Sequence, residues 1–207
     1  MKTLLIIISI LFSCNLIAEP FIEGKHYTRL PQSIEHMKPI TEFFSFLCPH
    51  CYVLINKFQL NKKMEILFSQ KHQFNLHHIN FFNEKLEKTL THIWYITKVK
   101  HLEKKTIHQL FKLLYNNVHI NDNIIKNEII KNTNLTKKKF NLLWNSYSIN
   151  YIIQKNKQLV EQLYLPYIPA TIINGKYIIK NENLNTKNFH DFIQKYLSLV
   201  QFLIQKK

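Results

Sequence analysis

Apolar and polar residues follow strand-like runs near both ends of the chain and helical spacing through its middle. Ile40, Glu42, Phe44 and Phe46 share one face of an extended run, and Thr41, Phe43 and Ser45 share the other. Both faces are largely apolar, which predicts a central strand covered on both sides. After Cys48 the spacing of Val53/Leu54, Lys57/Phe58 and Leu60 predicts a helix to about residue 60. A second helical piece, Lys62 to Ser69, and a strand over Phe74 to Phe81 complete a βαβ unit. His26 to Leu30 reads as a short edge strand ended by Pro31. Residues 84 to about 164 hold no proline or glycine and carry several helical stripes. Ile107, Leu110, Phe111 and Leu114 make one, and Phe140, Leu143, Trp144 and Tyr147 make another. Asn121/Asp122 and Thr136 are predicted N-caps, and Ile149 to Leu163 a further long helix. Trp94 and Trp144 read as core residues of this block. Ala170 to Ile173 and Lys176 to Lys180 then flank Asn174-Gly175, a strong hairpin signal. A final helix is predicted from Thr186, with Phe189, Phe192/Ile193, Tyr196, Leu199/Val200 and Leu203 inward. The element order is that of an α/β fold.

Composition narrows the function. The chain has 207 residues and 46% hydrophobic content, enough for one substantial core or one domain with an insertion. Only Gly24 and Gly175 are glycines, and no phosphate-cradling glycine pattern occurs. The net charge of +15 invites a nucleic-acid reading, but Arg29 is the single arginine among the basic residues. Base readout and bidentate phosphate clamps lean on arginine, so the dispersed lysines read as solvated faces and no nucleic-acid partner is expected. Steering toward acidic partners or membrane surfaces stays open.

Met1-Lys2-Thr3, the apolar run Leu4 to Phe12 and the small residue Ala18 form a secretory signal pattern, residues 1–18, with cleavage expected after Ala18. Leu11-Phe12-Ser13-Cys14 loosely resembles a lipoprotein cleavage motif, so a lipid anchor at Cys14 is the alternative. With Cys14 removed, Cys48 and Cys51 are the two cysteines of the mature chain. A lone Cys-x-x-Cys closes a tiny loop and constrains little chain entropy, so it is a poor staple and a plausible reagent.

Cys48-Pro49-His50-Cys51 sits where the strand hands over to a helix N-terminus. Unpaired backbone N–H groups and partial positive charge there favour a thiolate, the reactive form of cysteine. Pro49 suits the first helical turn, which needs no donor, and His50 is placed to donate to sulfur. The chemistry proposed is reversible thiol–disulfide exchange. Half of a zinc site is the competing reading, kept open by eleven histidines although no second cysteine pair exists.

The run Glu42-Phe43-Phe44-Ser45-Phe46-Leu47-Cys48-Pro49-His50-Cys51-Tyr52 closely resembles the active-site segment of the DsbA family of periplasmic thiol:disulfide oxidoreductases. The resemblance continues through Glu23-Gly24-Lys25-His26-Tyr27, Trp144-Asn145-Ser146, Ile168-Pro169-Ala170 and Asn174-Gly175-Lys176-Tyr177. It implies a thioredoxin fold with an inserted α-helical domain. The parts would be 19–82, an insertion at 83–149, and 150–207, with the helix near 150–163 as a bridge. Cys48 is implied as the nucleophilic, more exposed cysteine and Cys51 as its disulfide partner. Pro169, which by spacing alone reads as a trans strand-start proline, is implied as a cis-proline facing the disulfide, with Ile168 pairing substrate backbone. Glu42 is implied as a buried acid beneath the site, aiding proton transfer to Cys51. Implied partners are reduced, newly exported proteins and a quinone-linked membrane oxidase of the DsbB type. No cofactor or metal is implied, and a monomer is expected. Two positions depart from the family pattern: Leu76 stands where a lysine is common, and Pro166-Tyr167 where the approach is more flexible. The rival readings are a thiol reductase or isomerase of the same fold, and a non-catalytic metal-binding or chaperone module.

Overall fold

The computed structural model describes residues 21–68, 74–82, 85–117, 119–184 and 186–206. The expected leader, its cleavage site and Cys14 lie outside the described residues, as does Ser69.

A five-stranded sheet in the order β1-β5-β4-β2-β3 organises the chain. Its strands are β1 (Tyr27–Arg29), β2 (Ile40–Phe44), β3 (Phe74–His78), β4 (Ala170–Ile173) and β5 (Tyr177–Ile179). All five residues of β2 are buried, as expected of a strand covered on both faces. It runs parallel to β3 and antiparallel to β4, which sets Glu42 between Leu76 and Thr171. The β4–β5 hairpin turns through Asn174 and Gly175, at φ 54° and 62°, the left-handed pair that a two-residue turn requires. Gly175 is fixed twice over, because a Cβ there would lie 2.2 Å from the Ile34 carbonyl oxygen.

The helix expected from Cys48 to residue 60 is not continuous. A short α1 (Pro49–Cys51) passes into a π-helical segment, Tyr52–Lys57, in which Phe58 N–H donates to Val53 O at 3.0 Å. Gln59 then turns left-handed at φ 50° before α2 (Leu60–Leu67). The wider turn still buries Leu54 and Ile55, so the apolar spacing alone does not separate the two geometries over so short a run.

The middle of the chain is helical, as its spacing predicts: α3 (Lys85–Val99), α4 (Glu103–Asn116), α5 (Asp122–Thr133), α6 (Lys137–Trp144) and α7 (Tyr147–Leu163). The Asn121 side chain accepts from the backbone of Asn123 and Ile124, and Thr136 caps Lys139, so orphan donors at both N-termini are satisfied. The last helix, α8 (Phe189–Gln205), begins three residues later than expected, where Asn188 caps Asp191. Phe189 is 53% exposed and stacks on Phe58 at 4.5 Å instead of turning inward.

The sheet has a different partner on each face. Tyr196 of α8 donates to Thr171 Oγ1 at 2.5 Å, on the face that Thr171 shares with Glu42. Asn156 of α7 meets His77 Nδ1 at 2.6 Å, and the His77 ring stacks on Phe43, which puts α7 on the opposite face. Trp94 of α3 is fully buried, with its ring 5.2 Å from Phe44. Trp144 packs against the core from its margin. It is half-buried between the His92 ring at 4.6 Å and Lys126 Nζ at 3.9 Å, where a cation on an indole face contributes about 0.5–1 kcal/mol.

Candidate active site

β2 ends at Phe44 rather than at residue 46, because Ser45-Phe46-Leu47 form a tight turn closed by Cys48 N–H on Ser45 O at 3.2 Å. This turn delivers Cys48 as the N-cap of α1, with extended backbone at φ −86°, ψ 115°, and Pro49 in the first helical position. The Cys48 sulfur accepts from Cys51 N–H at 3.2 Å. Its thiol also faces Ile168 O across 3.6 Å. The Ile168–Pro169 peptide is cis, and Asn181 Nδ2 holds the Pro169 carbonyl at 3.0 Å. Two stretches 120 residues apart therefore meet at one sulfur.

The two thiols are unlike. Neither is disulfide-bonded here; Cys48 keeps 4% exposure and Cys51 none. The Cys48 thiol is held down to about 7, chiefly by the hydrogen bond from the Cys51 thiol. Burial opposes this, the backbone N–H groups of Cys51 and His50 support it, and the charge of Glu87 opposes it. Cys51 is pushed far up, first by burial and then by its bond to Cys48. His50 serves the sulfur through its backbone N–H; its exposed imidazole lines a groove with Val53, Leu54, Ile168, Pro169 and Phe192. That groove encloses about 350 Å³ and is walled mainly by apolar side chains. Tyr167, at one of the two departures from the family pattern, donates to Ile179 O at 2.8 Å and so ties the approach to Pro169 onto β5.

Glu42 lies fully buried in the sheet with no hydrogen-bond partner on either carboxyl oxygen. Leu76 stands opposite it in register. The amine that does reach β3 belongs to Lys98 of α3, and it is engaged with Leu76 O at 2.6 Å and Asn75 Oδ1 at 2.5 Å. Burial, and then the charge of Cys48, raise the Glu42 carboxyl from its ordinary 4.5 to about 8. The folded state thus binds this proton more tightly than the unfolded chain does. The resulting stability is complete below pH 4.5 and is lost as pH rises toward 8. Glu42→Gln is expected to remove that slope and to gain roughly 2 kcal/mol at pH 9, read from urea unfolding of the reduced protein. Parallel pH profiles for the two proteins would show that Glu42 is not the group responsible.

Three residues that the sequence reading passed over complete the site. His78 is fully buried and accepts from Phe46 N–H through Nε2 at 3.2 Å, so its Nδ1 carries the proton and donates to Thr91 Oγ1 at 3.0 Å. Burial holds this imidazole down to about 3, hence neutral. Ser45 accepts from Leu47 N–H at 3.1 Å and donates to Glu87 Oε1. Glu87, fully buried, accepts from Phe82 N–H through its other oxygen at 2.9 Å. The available signal was an acidic residue at helical spacing from Leu90 and Trp94, inside the apolar stripe of α3. Among the described residues, no group of three or more His, Cys, Asp or Glu is arranged to hold a metal ion.

A thioredoxin fold that carries a Cys-x-x-Cys at a helix start, facing a cis-proline loop, defines a protein dithiol:disulfide oxidoreductase. Residues 39–194 match the family model of the DSBA-like thioredoxin domain, and the chain belongs to that family. A thiol:disulfide interchange protein DsbA of Buchnera aphidicola subsp. Schizaphis graminum is 31% identical over 207 residues, covering 100% of this chain and 99% of that protein. DsbA of Escherichia coli K12 is 26% identical over 190 residues, covering 92% of this chain and 91% of its own. Among solved structures, Proteus mirabilis DsbA with a non-covalently bound peptide superposes with TM-score 0.81 at 24% identity, covering 90% of this chain and 99% of that one.

Proposed function

We propose that this chain oxidises reduced, newly exported proteins by donating its Cys48–Cys51 disulfide. A substrate thiolate attacks Cys48 Sγ, the Cys48–Cys51 bond breaks, and Cys51 leaves as a thiolate that takes up a proton. A second substrate thiolate then attacks the substrate sulfur of the mixed disulfide and expels Cys48. The substrate gains one disulfide, and the protein is left as a dithiol. The observation that carries this direction is the asymmetry of the pair: Cys48 is held to about 7 while Cys51 is pushed far up. A stable Cys48 thiolate is a good leaving group and favours the reduced protein, which makes the disulfide form an oxidant.

Glu42, protonated at neutral pH with a carboxyl near 8, is the proton source for Cys51. Pro49 starts the helix without spending a donor, and His50 contributes its N–H to the sulfur. The substrate backbone lies along Ile168–Pro169, with apolar side chains in the groove beside His50. That Proteus mirabilis DsbA binds a peptide non-covalently supports a polypeptide substrate for this chain. The protein acts as a monomer in the periplasm after removal of residues 1–18. Reoxidation falls to a quinone-linked membrane oxidase of the DsbB type. Among the described residues no helix is long and apolar enough to cross a membrane.

The test is the redox equilibrium of Cys48/Cys51 against glutathione, read by thiol trapping. The expected equilibrium lies well to the reduced side in buffers where a structural disulfide stays closed. A pair that remains oxidised under those conditions would sink the oxidase reading.

A further inference from the structure

The loop that presents Cys48 is gripped from the helical block by a buried carboxylate. Glu87 stands in the first turn of α3, where the helix dipole favours negative charge. One of its oxygens takes the Ser45 hydroxyl proton, and the other takes Phe82 N–H at 2.9 Å. The same Ser45 oxygen accepts Leu47 N–H at 3.1 Å, and Ser45 O accepts Cys48 N–H at 3.2 Å. The carboxylate thus reaches Cys48 by way of Ser45, whose hydroxyl it holds and whose carbonyl holds the Cys48 N–H. A buried carboxylate is costly unless it is well paired. If the turn required only holding, a neutral amide would serve: its NH2 would donate to Ser45 Oγ and its oxygen would accept Phe82 N–H. What the carboxylate adds is a negative charge hydrogen-bonded to the turn that carries Cys48.

We propose that Glu87 is a positioning residue for the redox cycle, whose carboxylate fixes the Ser45–Leu47 turn and whose charge makes the Cys48–Cys51 disulfide a milder oxidant than it would otherwise be. The charge destabilises a Cys48 thiolate and so works against the N–H groups of Cys51 and His50. The other titratable groups that act on Cys48 are Cys51 on its own helix, Glu42 on β2 and Tyr115 on α4. Glu87 differs from Glu42 in being paired on both oxygens.

The inference rests on the oxidoreductase reading of Cys48–Cys51, and one set of measurements separates the two. The wild-type glutathione equilibrium tests that reading; the displacement of the variants from wild type tests this one. Glu87→Gln keeps the shape and removes the charge. Its Cys48 thiolate absorbance at 240 nm is expected to titrate about half a pH unit lower, with the glutathione equilibrium moved roughly twofold toward the reduced protein. Ser45→Ala leaves the carboxylate in place without its hydroxyl donor, so the uncompensated charge should move both readings the other way. A purely structural contact predicts shifts of the same sign for both variants. Same-sign shifts, or no shift in Glu87→Gln, overturn the proposal. If Glu87→Gln does not fold, the sign of the Ser45→Ala shift decides alone.

Discussion

A Cys48→Ser variant is expected to show complete loss of dithiol oxidation and to form no covalent adduct when mixed with a disulfide-containing protein. Cys51→Ser, given the same partner, is expected to accumulate a stable mixed disulfide, visible as a summed mass on a non-reducing gel. The reason lies in the different surroundings of the two sulfurs. Cys48 accepts Cys51 N–H, faces Ile168 O and has its thiol held down to about 7, while Cys51 has no exposed surface and is pushed far up by burial. At pH 7 a large fraction of Cys48 is thiolate, and essentially none of Cys51 is. In Cys51→Ser the attacking sulfur survives and the internal sulfur that would release the partner is gone. Equal adduct formation by the two variants would reverse or abolish the assigned roles.

The largest stability effect is expected at Phe44. Its ring is fully buried and meets Phe46 at 5.1 Å, Trp94 at 5.2 Å, His78 at 5.3 Å and Phe111 at 6.1 Å. Those partners come from the turn before Cys48, from α3, β3 and α4, so one side chain joins the central strand to the helical block. Phe44→Ala should cost about 3–5 kcal/mol, the transfer energy of the ring plus the cavity that rigid neighbours leave behind. Urea unfolding followed by tryptophan fluorescence checks this directly, because Trp94 lies against the ring. A loss below about 1 kcal/mol would mean that the helical block contributes little to the stability of the sheet.

Where local chemistry decides structure, the sequence was readable. Asn174-Gly175 announces a left-handed two-residue turn, Thr136 and Asn121 announce their helices, and the two apolar faces of Ile40 to Phe44 announce a central strand. Cys48 at the junction of that strand with a helix already implied thiolate chemistry. The features that escaped depend on partners far along the chain. The π-helical turn at Tyr52–Lys57 keeps the same residues inward as an α-helix would, so periodicity could not distinguish it. Ser45 and Glu87 are 42 residues apart, and nothing local to either predicts their bond. That His50 is placed to donate to sulfur is legible from its position, whereas that the backbone N–H is the donating group requires the turn to be seen. Phe189 fits the inward stripe of α8 by spacing and is turned out because Asn188 starts the helix just before it. The absence of a lysine at Leu76 was visible in the sequence, whereas the answer to it, an unpaired and proton-holding Glu42, required the burial to be seen.

The meeting of Cys48 with Ile168 O across 120 residues also sets an order of assembly. The chain is made from its N-terminus, so β2 and the redox turn exist before β4, and the helical block is completed in between. The Ile40↔Ile173 pairing closes one of the longest loops in the molecule, a contact that must wait for the chain ends of the insertion to come together. Until it forms, Cys48 lacks the wall that Ile168 and Pro169 provide, and the edge of β2 that β4 will cover is open. An unfinished molecule of this protein, with Cys48 and Cys51 as free thiols, is thus itself a partly folded chain, chemically the same kind of object as the proteins it is proposed to oxidise.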